Sequence, residues 1–251
     1  MLSVCTGWSP SGWVEYGERF LETFCRHWPQ SVKLIVYAEV PVYMPRGECR
    51  LIWEIPGCQD FLERHVNSRK ARGTAINPAT WKPRAVLHGY NWRYDAYKFC
   101  KQGFIPLAAS EHAKGDLLCW LDGDVVTHRD VPEGFIESLL PEGKDVAYLG
   151  RGKDYHSEIG FQLYRLPQAK PMLQRFRDYY ATDEVFKLKE WHSAYVFDKA
   201  RRETGIAGHD MTPGGLGHVW FQSPLREYLD HLKGARKGIG KSIERTVGPR
   251  T

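Results

Sequence analysis

The chain has 251 residues, 42 % of them hydrophobic and 26 % charged, with a formal net charge of +5. That composition supports a folded core of one-domain size and excludes an intrinsically disordered chain. The longest apolar runs, Leu117 to Leu121 and Lys33 to Ala38, fall far short of the roughly 20 residues of a membrane-spanning helix, and the opening Met1-Leu2-Ser3-Val4-Cys5-Thr6 lacks the basic start of a secretory signal, so a cytoplasmic protein with no membrane span is expected.

Leu2 to Thr6 reads as a short first strand, ended by the turn residues Gly7-Trp8-Ser9-Pro10-Ser11-Gly12. Trp13, Tyr16, Phe20, Phe24 and Trp28 then recur at three- or four-residue spacing, which predicts one buried helix face. Val32 to Ala38 and Arg50 to Ile55 are the next strands, the first nearly continuous in apolar residues, as a sheet buried on both sides requires. Leu117-Leu118-Cys119-Trp120-Leu121 is the strongest strand pattern and stops abruptly at Asp122. Strands at Asp145 to Leu149 and Gly160 to Tyr164 and helices at Pro167 to Tyr180 and Trp191 to Arg202 follow. Residues 204–217, with five glycines and Pro213, read as a loop over the site. Alternation of strands and helices predicts an α/β fold built by crossover connections, and the absence of a linker or internal repeat predicts one domain over residues 1–251. The six cysteines show no C-x-x-C pair or regular spacing, so free, mostly buried thiols and no disulfides are expected.

Two segments carry the positive charge. Residues 67–98 hold seven Lys or Arg against one acid, and residues 226–251 hold seven against three, which leaves the remaining chain mildly acidic. A basic insertion and a basic C-terminal segment on such a body suit a polyanionic ligand, either phosphate-bearing or nucleic acid.

The chemistry-bearing motif is Asp122-Gly123-Asp124. In an open parallel sheet, ligands sit off the carboxyl ends of the strands, which is where these two acids fall. Two carboxylates flanking a glycine can approach one hard divalent cation, with room left for substrate phosphates; the alternative is an ordinary Asp-Gly surface turn.

Leu121-Asp122-Gly123-Asp124-Val125-Val126 resembles the metal-binding segment of nucleotide-sugar glycosyltransferases of the GT-A fold. His231-Leu232-Lys233-Gly234-Ala235-Arg236-Lys237, with the spacing H-x-x-G-x-x-K, resembles the C-terminal element of retaining galactosyltransferases and glycogenin-like enzymes, glycosyltransferase family 8. The resemblance implies a Rossmann-like central sheet, mixed but mostly parallel, flanked by helices. It implies a UDP-sugar donor and Mn2+ or Mg2+ held by Asp122, Asp124 and His231, with Asp122, Gly123, Gly234 and Lys237 against the donor diphosphate. An imidazole suits Mn2+ and a Gly-Lys pair suits phosphate on chemical grounds as well. The match stops after Lys237, where Gly238-Ile239-Gly240 replaces the family's usual tail, and the stereochemical outcome stays open.

Further site residues carry alternatives. By the same resemblance Thr6, Gly7 and Trp8 lie where the family binds the nucleobase, although Trp8 equally suits packing under the following helix. Arg93, Asp95 and Lys98 match a helix that reaches the donor, or else make core-supporting ion pairs. Glu158, in His156-Ser157-Glu158-Ile159-Gly160-Phe161, suits an acceptor-hydroxyl ligand, a general base, a stabiliser of positive charge on the sugar, or a salt-bridged acid. His192, after Glu190-Trp191, suits a base or acceptor ligand, or a packed histidine. Asp198-Lys199 reads as a solvated pair. Trp81, Tyr90, Trp92 and Tyr94 interleave the basic residues of 67–98, a combination suited to nucleotides or to sugar stacking. Thr6-Gly7-Trp8-Ser9-Pro10 with Tyr16-Gly17-x-Arg19-Phe20 also resembles small bacteriophage glycosyltransferases that act on hydroxymethylated pyrimidines in DNA. The acceptors implied are therefore DNA or a saccharide or lipid-linked hydroxyl; the reading from another class is a non-enzymatic nucleic-acid-binding protein.

Overall fold

The structure, a computed structural model, describes residues 1–74, 86–87, 89–153, 155–234 and 236–239. Strand β1 (Leu2–Trp8) leads through a short turn, α1 (Pro10–Gly12), and a π-helical turn (Trp13–Gly17) into α2 (Glu18–His27). The apolar period predicted as one helix is therefore real but broken in its backbone bonding. Its later members still form one face: Phe20 stacks on Phe24 at 6.1 Å and Phe24 on Trp28 at 4.8 Å. Next come β2 (Lys33–Ala38), β3 (Glu48–Leu51), α3 (Cys58–His65), a two-residue hairpin pair β4 (Val86–Leu87) and β5 (Tyr90–Asn91), and the long α4 (Ala96–Ser110). The strand expected over Arg50 to Ile55 ends instead at Leu51 and passes into a 3-10 turn over Ile52–Glu54.

The second half runs β6 (Leu117–Leu121), β7 (Val125–Thr127), α5 (Phe135–Ser138), β8 (Val146–Leu149), β9 (Glu158–Arg165), α6 (Lys170–Ala181), α7 (Ser193–Thr204), β10 (Gly208–Asp210), β11 (Leu229–His231) and α8 (Arg236–Ile239). Residues 204–217 are thus not all loop: β10 pairs in parallel with β8, Gly208 opposite Val146. Backbone hydrogen bonds hold it, so its glycine content did not prevent a strand.

Seven strands form the main sheet in the order β10-β8-β9-β6-β1-β2-β3. The fold is α/β with a mixed, mostly parallel sheet: β1 pairs in parallel with β2 and β6, while β9 runs antiparallel to both β6 and β8. Side chains alternate across the sheet. Leu117, Cys119 and Leu121 enter a core shared with α2, whereas Leu118 and Trp120 enter one shared with α3, α4, α6 and α7. Both faces of β6 are therefore dry, and its five residues are all buried. All six cysteines are free. Among the described residues, no helix is long and apolar enough to cross a membrane.

A candidate metal and diphosphate site at the end of β6

The buried strand β6 delivers Asp122 and Asp124 to its carboxyl end, and a second, two-stranded sheet brings the histidine to them. β11 pairs antiparallel with β7 in a register that sets His231 opposite Val125, and the Leu232 N–H donates to the Asp124 carbonyl at 3.1 Å. One imidazole nitrogen, His231 Nε2, lies 3.0 Å from Asp124 Oδ1 and 3.5 Å from Asp122 Oδ2. The other, Nδ1, lies 3.3 Å from Glu158 Oε1 at the start of β9. Three acids from two segments, the turn after β6 and the start of β9, thus surround one ring.

Close packing fixes that ring. A Cβ on Gly160 would sit 2.6 Å from His231 Cε1 and Nδ1, so only glycine leaves the imidazole room there. Behind the motif, Trp8 Nε1 donates to the Gly123 carbonyl at 3.4 Å, and a Cβ on Gly123 would approach Trp8 Nε1 to 2.2 Å. Asp122 Oδ1 accepts from Gln102 Nε2 at 2.8 Å and Trp120 Nε1 at 3.0 Å, which leaves Oδ2 to face His231.

Cations already balance these acids. Lys237 Nζ lies 2.5 Å from Asp124 Oδ2 and 5.1 Å from the centre of the Tyr16 ring, while Arg19 Nη1 donates to the Lys237 carbonyl at 2.7 Å. Lys233 and Arg151 both pair with Glu158. Gly234, between the two lysines, adopts φ 58°, the left-handed conformation that glycine takes without a steric cost.

The electrostatics follow from crowding. Burial pushes Asp122 up to about 7, with Asp124 and Glu158 adding to the rise and His231 opposing it. Burial works against charge on His231, but Asp124 and Glu158 override it and raise its pKa to about 10. Asp124 and Glu158 are buried too, yet His231 and the lysines hold both carboxyls below their ordinary range. Lys237 is likewise raised by Asp124 despite its burial. Asp122, Asp124 and His231 can offer ligand atoms within 4.8 Å of one another. Two carboxylate oxygens and one imidazole are a donor set that Mn2+ or Mg2+ accepts, and the Lys237 amine held against Asp124 shows that these acids favour positive charge at this point.

The other expected site residues fall in different places. Thr6 and Trp8 are buried in the sheet and under α2, so Trp8 acts as the support of Gly123. A Cβ on Gly7 would meet Ile105 Cδ1 at 2.6 Å and the Tyr37 carbonyl at 2.8 Å. Asp95 caps α4 by accepting from the Lys98 N–H and also accepts from the Tyr90 hydroxyl at 2.7 Å. Arg93 Nη1 donates to Glu190 Oε1 at 2.6 Å.

His192 lies 3 % exposed beneath Trp92, with Nε2 2.9 Å from Glu190 Oε2. Burial lowers its pKa against the pull of Glu190, whose own carboxyl is held well below the usual range by His156, His192 and Arg93 in spite of burial. Asp198 is not a solvated partner of Lys199. It is buried and accepts from the Ser157 N–H and hydroxyl at 3.0 and 2.6 Å, because α7 packs directly against the segment leading into β9.

The basic segment is largely engaged within the fold. Lys70 lies over Phe186 and Trp191, Arg72 over Tyr97, Arg93 over Trp92 and Lys98 over Phe99, at 4.3 to 5.6 Å. Trp81, Lys82 and Arg84, and in the C-terminal segment Lys241, Arg245 and Arg250, lie outside the described residues. Sequence reasoning missed Gln102, Arg151 and Lys233: each acts across the fold, and Lys233, although inside the H-x-x-G-x-x-K segment, stands at one of its unspecified positions.

No protein-family model matches the chain, and no curated protein matches it in sequence. Among solved structures, it is similar to mouse xyloside xylosyltransferase 1 in its apo form, with a TM-score of 0.46 and 9 % identity over 83 % of this chain and 84 % of that one.

Proposed function

We propose that the chain is a glycosyltransferase of GT-A type, moving a hexose from a nucleoside diphosphate sugar, UDP-linked by preference, to an acceptor hydroxyl. The observation that carries this reading is the meeting of Asp122, Asp124 and His231 at the carboxyl end of β6, with the Lys237 amine 2.5 Å from Asp124. Asp122, Asp124 and His231 would hold Mn2+ or Mg2+. When bound, such a cation supplies Lewis-acid stabilisation of the negative charge that develops on a leaving nucleoside diphosphate.

The chain's own residues do the rest. Lys237 exchanges a carboxylate for a phosphate oxygen, and Gly234 lets the backbone turn so that it can. Glu158, with Oε1 3.3 Å from His231 Nδ1, stands where an outer partner would orient a ligating imidazole, and we read its role as positioning rather than proton transfer. Trp8 and Gly123 shape the floor. A nucleic-acid-binding role alone leaves the buried acid and histidine cluster without a purpose.

The test is release of nucleoside diphosphate from UDP- and GDP-sugars, with and without Mn2+, against saccharide acceptors and hydroxymethylated DNA. Metal-dependent release that falls by at least about 100-fold in Asp124→Asn is expected, the scale on which altered metal shells act. Release indifferent to both chelation and Asp124→Asn overturns the reading. Transfer to hydroxymethylated DNA alone would assign the acceptor to DNA; transfer to a saccharide alone would remove DNA from the proposal.

A further inference from the structure

A second group of ligand-type side chains gathers where the segment before β9 meets the turn before α7. His156 precedes β9 by two residues, and Glu190 and His192 stand immediately before α7. Both imidazoles aim their Nε2 atoms at one carboxylate oxygen, Glu190 Oε2, His192 from 2.9 Å and His156 from 3.4 Å. The three residues can each offer a ligand atom within 4.8 Å of the others. We propose that His156, Glu190 and His192 form a second metal site, distinct from the Asp122, Asp124 and His231 cluster, that takes a borderline divalent cation of the Zn2+ class.

Distance supports the assignment first. A tetrahedral ion with ligands at about 2.0–2.1 Å separates its ligand atoms by about 3.3 Å, and the two observed separations bracket that figure. Chemistry supports it next. Two imidazoles to one carboxylate is the set that suits Zn2+, whereas the β6 cluster, with two carboxylates to one imidazole, suits harder ions.

The surroundings are built to hold the ligands in place. Arg93 Nη1 grips the far carboxylate oxygen, Glu190 Oε1, at 2.6 Å and leaves Oε2 to the imidazoles. Asp198 Oδ2 lies 3.8 Å from His156 Nδ1 and is itself fixed by Ser157. A carboxylate behind a ligating histidine is a recurrent second layer of metal sites. Trp92 walls His192 at 4.7 Å and Tyr195 walls His156 at 5.0 Å. His192 is nine-tenths buried, while the His156 side chain keeps 26 % of its surface open, so an ion has a path in. Three protein ligands leave a fourth position for water or a substrate oxygen. A bound ion would tie the segment leading into β9 to the turn entering α7.

The proposal does not depend on the transferase reading, and the test keeps the two apart. In full-length Asp124→Asn, which disables the first site, equilibrium dialysis against Zn2+ followed by metal analysis should leave one tightly held equivalent. Adding His156→Gln should weaken that binding by at least about 100-fold, since loss of even an outer partner costs about 10–100-fold, while far-UV circular dichroism stays unchanged. His156 is the most open of the three, so its substitution leaves the core intact. Co2+ in place of Zn2+ should give the intense visible bands of a four-coordinate site in Asp124→Asn and lose them in the double variant. No retained Zn2+ in Asp124→Asn, or retention and Co2+ bands indifferent to His156→Gln, would overturn the proposal.

Discussion

His231 is the hinge of the first site, and its environment makes two outcomes calculable in sign. Gly160→Ala would drive a methyl to 2.6 Å from the imidazole. Overpacking of this kind costs about 1–3 kcal/mol, so denaturant unfolding should show that loss and Mn2+ titration should show weaker binding. The second outcome concerns pH. A cation must displace protons from its ligands, and those on Asp122, pushed up to about 7, and His231, raised to about 10, are held more tightly than in a free chain. Mn2+ affinity should therefore climb as pH rises through about 7 and keep climbing toward 10; free Mn2+ followed by electron paramagnetic resonance would show it. A flat profile from pH 6 to 9 would mean that neither group ligates.

At the scale of elements, β7 and β11 are three residues each, yet they decide where the histidine goes. The flanking bonds, His128 N–H to Tyr228 C=O and Leu232 N–H to Asp124 C=O, make Val126 and Asp230 a hydrogen-bonded pair under antiparallel alternation. Val126→Pro removes that donor and leaves the buried Asp230 carbonyl without its partner, at a cost of about 1–3 kcal/mol. Mn2+ binding should be lost while the main-sheet signal in circular dichroism persists; retained binding would show that β11 is not what positions His231. β6 and its two acids were legible in the sequence because an apolar run that ends on a carboxylate is a local signal. β7 and β11 were not, because pairing between Val125 and His231 leaves no local periodicity in either strand. α4 was legible only at its start, in the helix that Arg93 to Lys98 resembled; its length was hidden because Gly103 and Pro106 sit inside it, and both ordinarily mark a helix as unfavourable. The His156, Glu190 and His192 group joins two stretches of chain more than 30 residues apart that tertiary packing brings together, so residue spacing gave no hint of it.

For the whole molecule, the sheet with a dry core on each face shields most of the thiols. Cys5, Cys58, Cys100 and Cys119 are buried, and Cys25 and Cys49 are partly open; burial pushes Cys5, Cys100 and Cys119 above the ordinary thiol range. Since the thiolate is the reactive form, a disulfide-exchange reagent should label Cys25 and Cys49 first in the native protein, and the other four only at the rate of global unfolding. Five fast thiols, or three, would mean that one core opens independently of the other, since Cys5, Cys58 and Cys100 lie in one core and Cys119 in the other. The basic segment belongs to this scale as well. Removing Lys70 and Arg72 together should cost stability, on the order of 0.5–1 kcal/mol for each cation–ring pairing removed, and this effect would be visible in denaturant unfolding with no nucleic acid present.

Arg19 holds the carbonyl of Lys237, 218 positions away along the chain. Pairings so distant in sequence form late, because the loop they close must be ordered before they repay its entropy. Refolding should therefore run in two acts: tryptophan fluorescence regains its native value as the sheet and its cores assemble, and competence to bind Mn2+ follows with a lag. During that lag the protein would already have its shape while still lacking its chemistry.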